Sequence, residues 1–262
     1  MPESPVRNWT IARVARHALL RGANRLLEME APDIARIARP GQFVEVSTKG
    51  ATLLNKPFSI AGVNRPAGTI SIAYKVIGRG TTAIAQYRRG AAVRLLGPCG
   101  NGFERPEGRV YLAGGGIGIP PLHFCAAEWA GAAEMTAIFG ARSSEDLVLV
   151  EETARALGRP VVTATDDGSE GRKGSVCDAL AAELDAVPGA VIACGPSAML
   201  RAVALMCAER AVPAWLCLEA YMACGAGICM GCVVPTVRGM ERVCREGPVF
   251  DARDIRWDAF GG

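Results

Sequence analysis

The sequence predicts a multi-domain chain of three parts: an antiparallel β-barrel over residues 1–104, an α/β parallel-sheet domain over 105–218, and a small cysteine-rich domain over 219–262. Three observations predict it. Hydrophobic residues alternate with polar ones in the first part, which suits half-buried strands. Near Arg109 the pattern changes to continuous apolar runs alternating with helical stretches, the βαβ signature of an open parallel sheet. After residue 219 apolar content falls and four of the ten cysteines crowd together.

Within the first part the alternating stretches are 42–47, 68–76 and 91–96, separated by glycine, proline or asparagine, and six to eight such strands would close a small barrel. In the second part Val110, Tyr111, Leu112 and Ala113 form an apolar strand ending in glycines. Helices are expected around 121–129, 151–157, 177–184 and 198–209, and strands at 135–139, 160–165, 190–194 and 214–218. The third part has little apolar sequence, so something other than a hydrophobic core should hold it together.

Composition narrows the function. A net charge of +3 with no Lys/Arg block argues against nucleic acid. The longest uncharged run, 110–127, contains Gly114, Gly115, Gly116, Gly118, Pro120 and Pro121, so no membrane span is expected. Arg7, Arg13, Arg16 and Arg21 interrupt the first thirty residues, so no secretion signal is expected and the reading is cytoplasmic. In a reducing compartment ten cysteines point to ligation and packing rather than disulfides. With only His17 and His123, a histidine metal site is nearly excluded.

The spacing Cys224-x4-Cys229-x2-Cys232 followed by Cys244 matches a plant-ferredoxin-type [2Fe–2S] cluster. Three thiolates on one tight loop wrap a planar Fe₂S₂ rhomb, and a fourth arrives from a distant segment. Gly225, Gly227 and Gly231 let the backbone curl and aim N–H groups at the sulfurs. Structural zinc is the alternative, although zinc sites usually come as two similar knuckles and Cys244 stands alone.

Other segments offer nucleotide chemistry. Lys56, Pro57, Phe58 and Ser59 supply a cation, a rigid proline and a small hydroxyl. Tyr74 and Lys75 precede Gly80, Thr81 and Thr82, a turn that opens a helix whose N–H groups could seat a phosphate. Gly114, Gly115, Gly116 and Gly118 lie at a strand-to-helix transition, and Cys194, Gly195 and Pro196 end a later strand; ligands of open parallel sheets bind at such carboxyl ends. Asp166 and Asp167 follow a third strand, where a solvated Asp-Gly turn is an equal reading.

Taken in order, these motifs resemble the ferredoxin–NADP reductase superfamily, and within it the electron-transfer subunits of NAD-linked dihydroorotate dehydrogenases. The carrying residues include Lys56-Pro57-Phe58-Ser59-Ile60, Gly97-Pro98-Cys99-Gly100-Asn101-Gly102-Phe103, Gly114-Gly115-Gly116-Ile117-Gly118, Cys194-Gly195-Pro196 and the segment from Met222 to Cys232. The resemblance implies FAD held by Lys56, Pro57, Phe58 and Ser59, lined by Ala73, Tyr74 and Lys75, with Gly80, Thr81 and Thr82 at its pyrophosphate. It implies NAD at Gly114, Gly115, Gly116, Gly118, Asp166, Gly195 and Pro196, with Cys194 as the catalytic candidate that positions hydride transfer. Lys56 stands where the family usually has arginine, which keeps the charge and loses the fork geometry. The implied partner is an FMN-containing dihydroorotate dehydrogenase catalytic subunit, in a heterotetramer of two of each. Electrons from dihydroorotate would pass through the [2Fe–2S] cluster and FAD to NAD⁺, in pyrimidine biosynthesis. A related subunit of a hydrogenase or a ferredoxin–NADP transhydrogenase is the alternative.

Overall fold

The structure is a computed structural model that describes residues 9–260. Its first half contains β1 (Trp9–Leu19), β2 (Asn24–Glu30), α1 (Pro32–Ile37), β3 (Phe43–Val46), β4 (Lys56–Asn64), β5 (Thr69–Lys75), α2 (Arg79–Ile84) and β6 (Ala92–Cys99). The six strands close a barrel in the order β1-β2-β5-β4-β3-β6, every neighbour antiparallel. Alternation delivers Leu27, Met29, Val44, Val46, Ile70, Ile72, Val93 and Leu95 to its interior, all essentially inaccessible. Six strands is the low end of the expected number.

The second half contains β7 (Arg109–Gly115), α3 (Ile119–Glu128), β8 (Glu134–Ala141), α4 (Val150–Leu157), β9 (Val162–Thr165), β10 (Arg172–Lys173), α5 (Val176–Ala186), β11 (Ala190–Cys194), α6 (Ser197–Glu209) and β12 (Ala214–Cys217). Each expected helix and strand of this part is found, displaced by a few residues at its ends. The C-terminal segment adds β13 (Val233–Thr236), β14 (Gly239–Arg242) and β15 (Val249–Asp251). The sheet runs β10-β9-β8-β7-β11-β12-β15, parallel except for β15.

Both faces of this sheet are covered, which explains the continuous apolar strands. Tyr111, Ala113, Val191 and Ala193 face α5 and α6, packing with Leu180, Leu184, Leu200 and Val203. Val110, Leu112 and Ile192 face α3, packing with Leu122 and Cys125. Phe124 on the far side of α3 joins the barrel interior, so this one helix is shared by both domains. Ion pairs lock the joint. Arg65 grips Glu128 at 2.7 and 2.8 Å, and Lys75 grips Asp146 at 2.7 and 2.8 Å.

The C-terminal segment differs from the expectation of a tail without apolar support. Cys232, Val234, Val243, Cys244, Phe250 and Ile255 belong to the same core as α5 and α6, and β15 pairs with β12. The segment buries its few apolar residues in a core built mainly by another part of the chain. Asn101 of the glycine-rich motif fastens it to the barrel: its side chain donates to Glu246 O and Val249 O at 2.8 Å and accepts from Val249 N–H at 3.0 Å. No helix of the described residues is long and apolar enough to cross a membrane.

Candidate functional site

A cavity of about 230 Å³ opens where the barrel edge, the end of β12 and the C-terminal segment meet. Pro57, Phe58 and Ser59 of β4, Ala73, Tyr74 and Lys75 of β5, and Thr81 of α2 line one side. Ile117, Cys217, Glu219 and Met222 line the other. Sequence reasoning found the first side and missed the second. Cys217 was findable in principle, since it ends an apolar strand at the same carboxyl edge as Cys194. Glu219 and Met222 carry no periodic signal.

Lys56 lies with its stem across Gly80, where a Cβ would stand 2.7 Å from Lys56 Cε. Glycine at 80 therefore lets the cation rest on the first turn of α2, beside N–H groups without helical partners. Lys56 forms no ion pair among the described residues. A free ammonium beside free N–H donors, next to a cavity with an apolar and aromatic wall, fits the diphosphate and ring system of FAD. Thr81 Oγ1 accepts from Ile77 N–H at 3.0 Å and Gly78 N–H at 3.1 Å, so this hydroxyl shapes the turn. Thr82 lines an adjoining hollow with Gly78, Arg79 and Gln86. Lys75 lines the cavity with its stem while its charge is engaged by Asp146.

The two glycine-rich strand ends touch. A Cβ on Gly118 would stand 2.4 Å from Cys194 O, and Cβ atoms on Gly115 and Gly195 would meet Met199 Sδ at 2.5 and 2.6 Å. Gly114 packs under Phe139, Ile119 and Leu122. Gly116, at φ +53°, has open space where a side chain would be, so of this group it best offers bare backbone to a ligand. Pro196 caps the start of α6. Asp166 follows β9, two strands from β7, where its N–H donates to Ala141 O at 3.1 Å.

Cys194 is 1% exposed and in register with Cys217 on the neighbouring strand. A hydrogen bond shared with Cys217, then burial, pushes its thiol well above the ordinary range, so it stays neutral. It backs the cavity wall from the strand behind Cys217. Glu219 lines the cavity, and desolvation raises its carboxyl above the ordinary value.

In the cluster loop Gly225 and Gly227 take φ +59° and +78°. The loop turns its N–H groups onto sulfur: Ala226 and Ile228 donate to Cys224 Sγ, Gly231 to Cys229 Sγ and Cys244 N–H to Cys232 Sγ, all at 3.4 Å. Partial burial would raise the Cys224 thiol, but the N–H groups of Cys229, Ala226 and Ile228 outweigh it and bring it down to about 6. The side chains associate two and two, Cys224 with Cys229 and Cys232 with Cys244. Among the described residues no three potential ligands gather around one ion-sized point. Two pairs suit a two-iron rhomb, in which each iron takes two protein sulfurs.

Glu45 of β3 joins the cavity side to the loop. It is 2% exposed, and a Cβ on Gly225 would stand 2.6 Å from its Cγ. Burial and the nearby Cys224 raise its carboxyl to about 7 against the opposing pull of Lys56, and its Oε1 has no partner. Around the loop, Tyr221, Ile228 and Met230 are 98, 81 and 50% exposed, an apolar rim.

Residues 219–256 match the iron–sulfur cluster binding domain of dihydroorotate dehydrogenase B, and residues 112–204 match the oxidoreductase NAD-binding domain. The chain is 39% identical over 243 residues to the dihydroorotate dehydrogenase B (NAD(+)) electron transfer subunit of Desulforamulus reducens, covering 88% of this chain and 92% of that one. The corresponding subunit of Caldanaerobacter subterraneus is 40% identical over 224 residues, covering 82% and 86%. Among solved structures, that of an NADH-dependent reduced ferredoxin–NADP oxidoreductase, a study of flavin-based electron bifurcation, aligns with a TM-score of 0.84 at 28% identity, over 96% of this chain and 91% of the other.

Proposed function

The chain belongs to the electron transfer subunits of dihydroorotate dehydrogenase B (NAD⁺), and from that premise we propose which of its residues carry electrons between a catalytic partner and NAD. It is an NAD-linked flavin and iron–sulfur oxidoreductase subunit of pyrimidine biosynthesis, with FAD, a [2Fe–2S] cluster and NAD as its cofactors. When bound, FAD and the cluster supply the exchange between two-electron chemistry at NAD and single-electron steps toward the partner.

The protein's own residues bind and align. Lys56 and the first-turn N–H groups of α2 hold the FAD diphosphate; the segments Pro57–Phe58–Ser59 and Ala73–Tyr74–Lys75 hold the flavin. Gly116 admits the NAD phosphates to the backbone, Gly114, Gly115, Gly118, Gly195 and Pro196 keep the two strand ends tight, and Asp166 takes the far end of the dinucleotide. Cys194 acts as a neutral positioning residue behind Cys217, because its thiol stays protonated. Cys224, Cys229, Cys232 and Cys244 ligate the cluster. The partner is an FMN-containing catalytic subunit, two copies of each chain assemble, and the apolar rim of Tyr221, Ile228 and Met230 meets it in the cytoplasm.

The observation that carries this reading is the shared cavity. Its walls come from the flavin segments, from the strand end at Cys217 and from Met222, two residues before Cys224. Co-purification with the catalytic subunit and assay with dihydroorotate and NAD⁺ tests it. Cys229→Ser should abolish that coupled activity and spare NADH-to-dye reduction, whereas equal loss of both would overturn the assigned order.

A further inference from the structure

Past the C-terminal end of α2, beside β1 and β2, lies a second cavity, of about 640 Å³, that shares no lining residue with the flavin cavity. Arg16 and His17 of β1, Arg25 of β2, and Tyr87, Arg88 and Arg89 after α2 line it. No acidic side chain does. None of its four arginines forms an ion pair among the described residues. Arg25 Nε is buried with no hydrogen-bond partner.

The floor of this cavity is held in place. His17 Nδ1 donates to Tyr87 O at 2.9 Å, and Nε2 bonds the Tyr74 hydroxyl at 2.9 Å. Tyr87 donates to Ser47 O at 2.9 Å, and Arg88 is steadied by Ala85 O at 3.2 Å. The paired strands β1 and β2 and the segment after α2 thus place four cations on one concave wall, where they repel one another and leave a buried donor unsatisfied. A multivalent anion removes both costs at once, and guanidinium forks match phosphate oxygens best.

We propose that this cavity is a binding site for a di- or triphosphate, distinct from the FAD and NAD sites. Its volume exceeds what a lone phosphate needs and admits a nucleoside as well. Either inorganic pyrophosphate or a nucleoside triphosphate could supply the phosphate chain.

The test is calorimetric titration of the FAD- and cluster-loaded protein with sodium pyrophosphate and, separately, with UTP and ATP, at 0.15 M salt. Saturable binding of one ligand per chain is expected, weakened about tenfold or more by Arg25→Gln and by Arg89→Gln, because each removes charge-assisted bonds. Arg201→Gln, an exposed charge on α6, should leave it unchanged. Pyrophosphate binding as tightly as the nucleotides identifies the phosphate chain as the whole ligand; a tenfold advantage for a nucleotide identifies the nucleoside form. Absence of saturable binding, or equal affinity in the arginine variants and the parent, would overturn the proposal. So would loss of FAD from Arg25→Gln and Arg89→Gln, since the arginines would then belong to the flavin's own site.

Discussion

At the carboxyl ends of β7 and β11 glycine and cysteine are packing residues, whereas in the loop from Cys224 to Cys232 the same two residue types shape the electrostatics. Gly118 has an ordinary φ of −77°, and what forbids a side chain there is the backbone of Cys194 at 2.4 Å. Gly227 is the reverse: its φ of +78° excludes most side chains, while the atom in the way is the flexible Arg245 Cδ at 2.8 Å. Cys194 is sealed and neutral; Cys224 is ringed by N–H donors and titrates near 6. A cysteine's chemistry here follows from whether it is sealed against a neighbouring thiol or ringed by the backbone N–H groups that a glycine-rich loop turns toward sulfur.

The comparison can be broken at several points. The largest effect is expected from Cys224→Ser, which should abolish the reduced-state EPR signal of the cluster and coupled turnover while FAD absorption persists; Cys194→Ser should keep the EPR signal. Next, in cluster-free protein, iodoacetamide should modify Cys224 above about pH 6 and progressively less below it, because only the thiolate reacts. Mass spectrometry should find Cys194 unmodified across that range unless the protein unfolds.

Gly118→Ala should cost about 3 kcal/mol or more in denaturant unfolding, since no flexible group can give way. Glu45→Gln follows. The folded pKa of about 7 lies above the ordinary 4.5, so the carboxyl supports the fold below pH 4.5 and that support is lost as pH rises through 7. The glutamine variant of the cofactor-free protein should therefore gain up to about 3 kcal/mol over the parent at pH 8 and little at pH 4.5. The smallest effect, about 1–2 kcal/mol, is expected for Gly227→Ala, whose penalty is the left-handed backbone together with a shift of the flexible Arg245 side chain.

Local sequence carried much of this architecture. The period of two at 68–76 and the unbroken apolar run at 110–113 assigned barrel and sheet, because alternation and two-sided burial leave different patterns. The cysteine spacing pointed to a cluster because three ligands lie on one short loop. The motif residues Pro57, Phe58, Ser59, Ala73, Tyr74, Lys75 and Thr81 do line one cavity. Its other wall was not legible. Cys217, Glu219 and Met222 reach it only because β12 runs beside β11 and the chain then crosses to the barrel.

The sequence by itself determined the order of the three parts, their elements and the chemistry of the cluster loop, since each depends on residues within a few turns of one another. Tertiary structure alone decided that the C-terminal segment borrows the core beneath α5 and α6, that Lys75 spends its charge on Asp146, that Glu45 reaches the cluster loop, and that four arginines share a cavity. Those outcomes depend on which distant surfaces meet, and burial and charge take their values only once they have met.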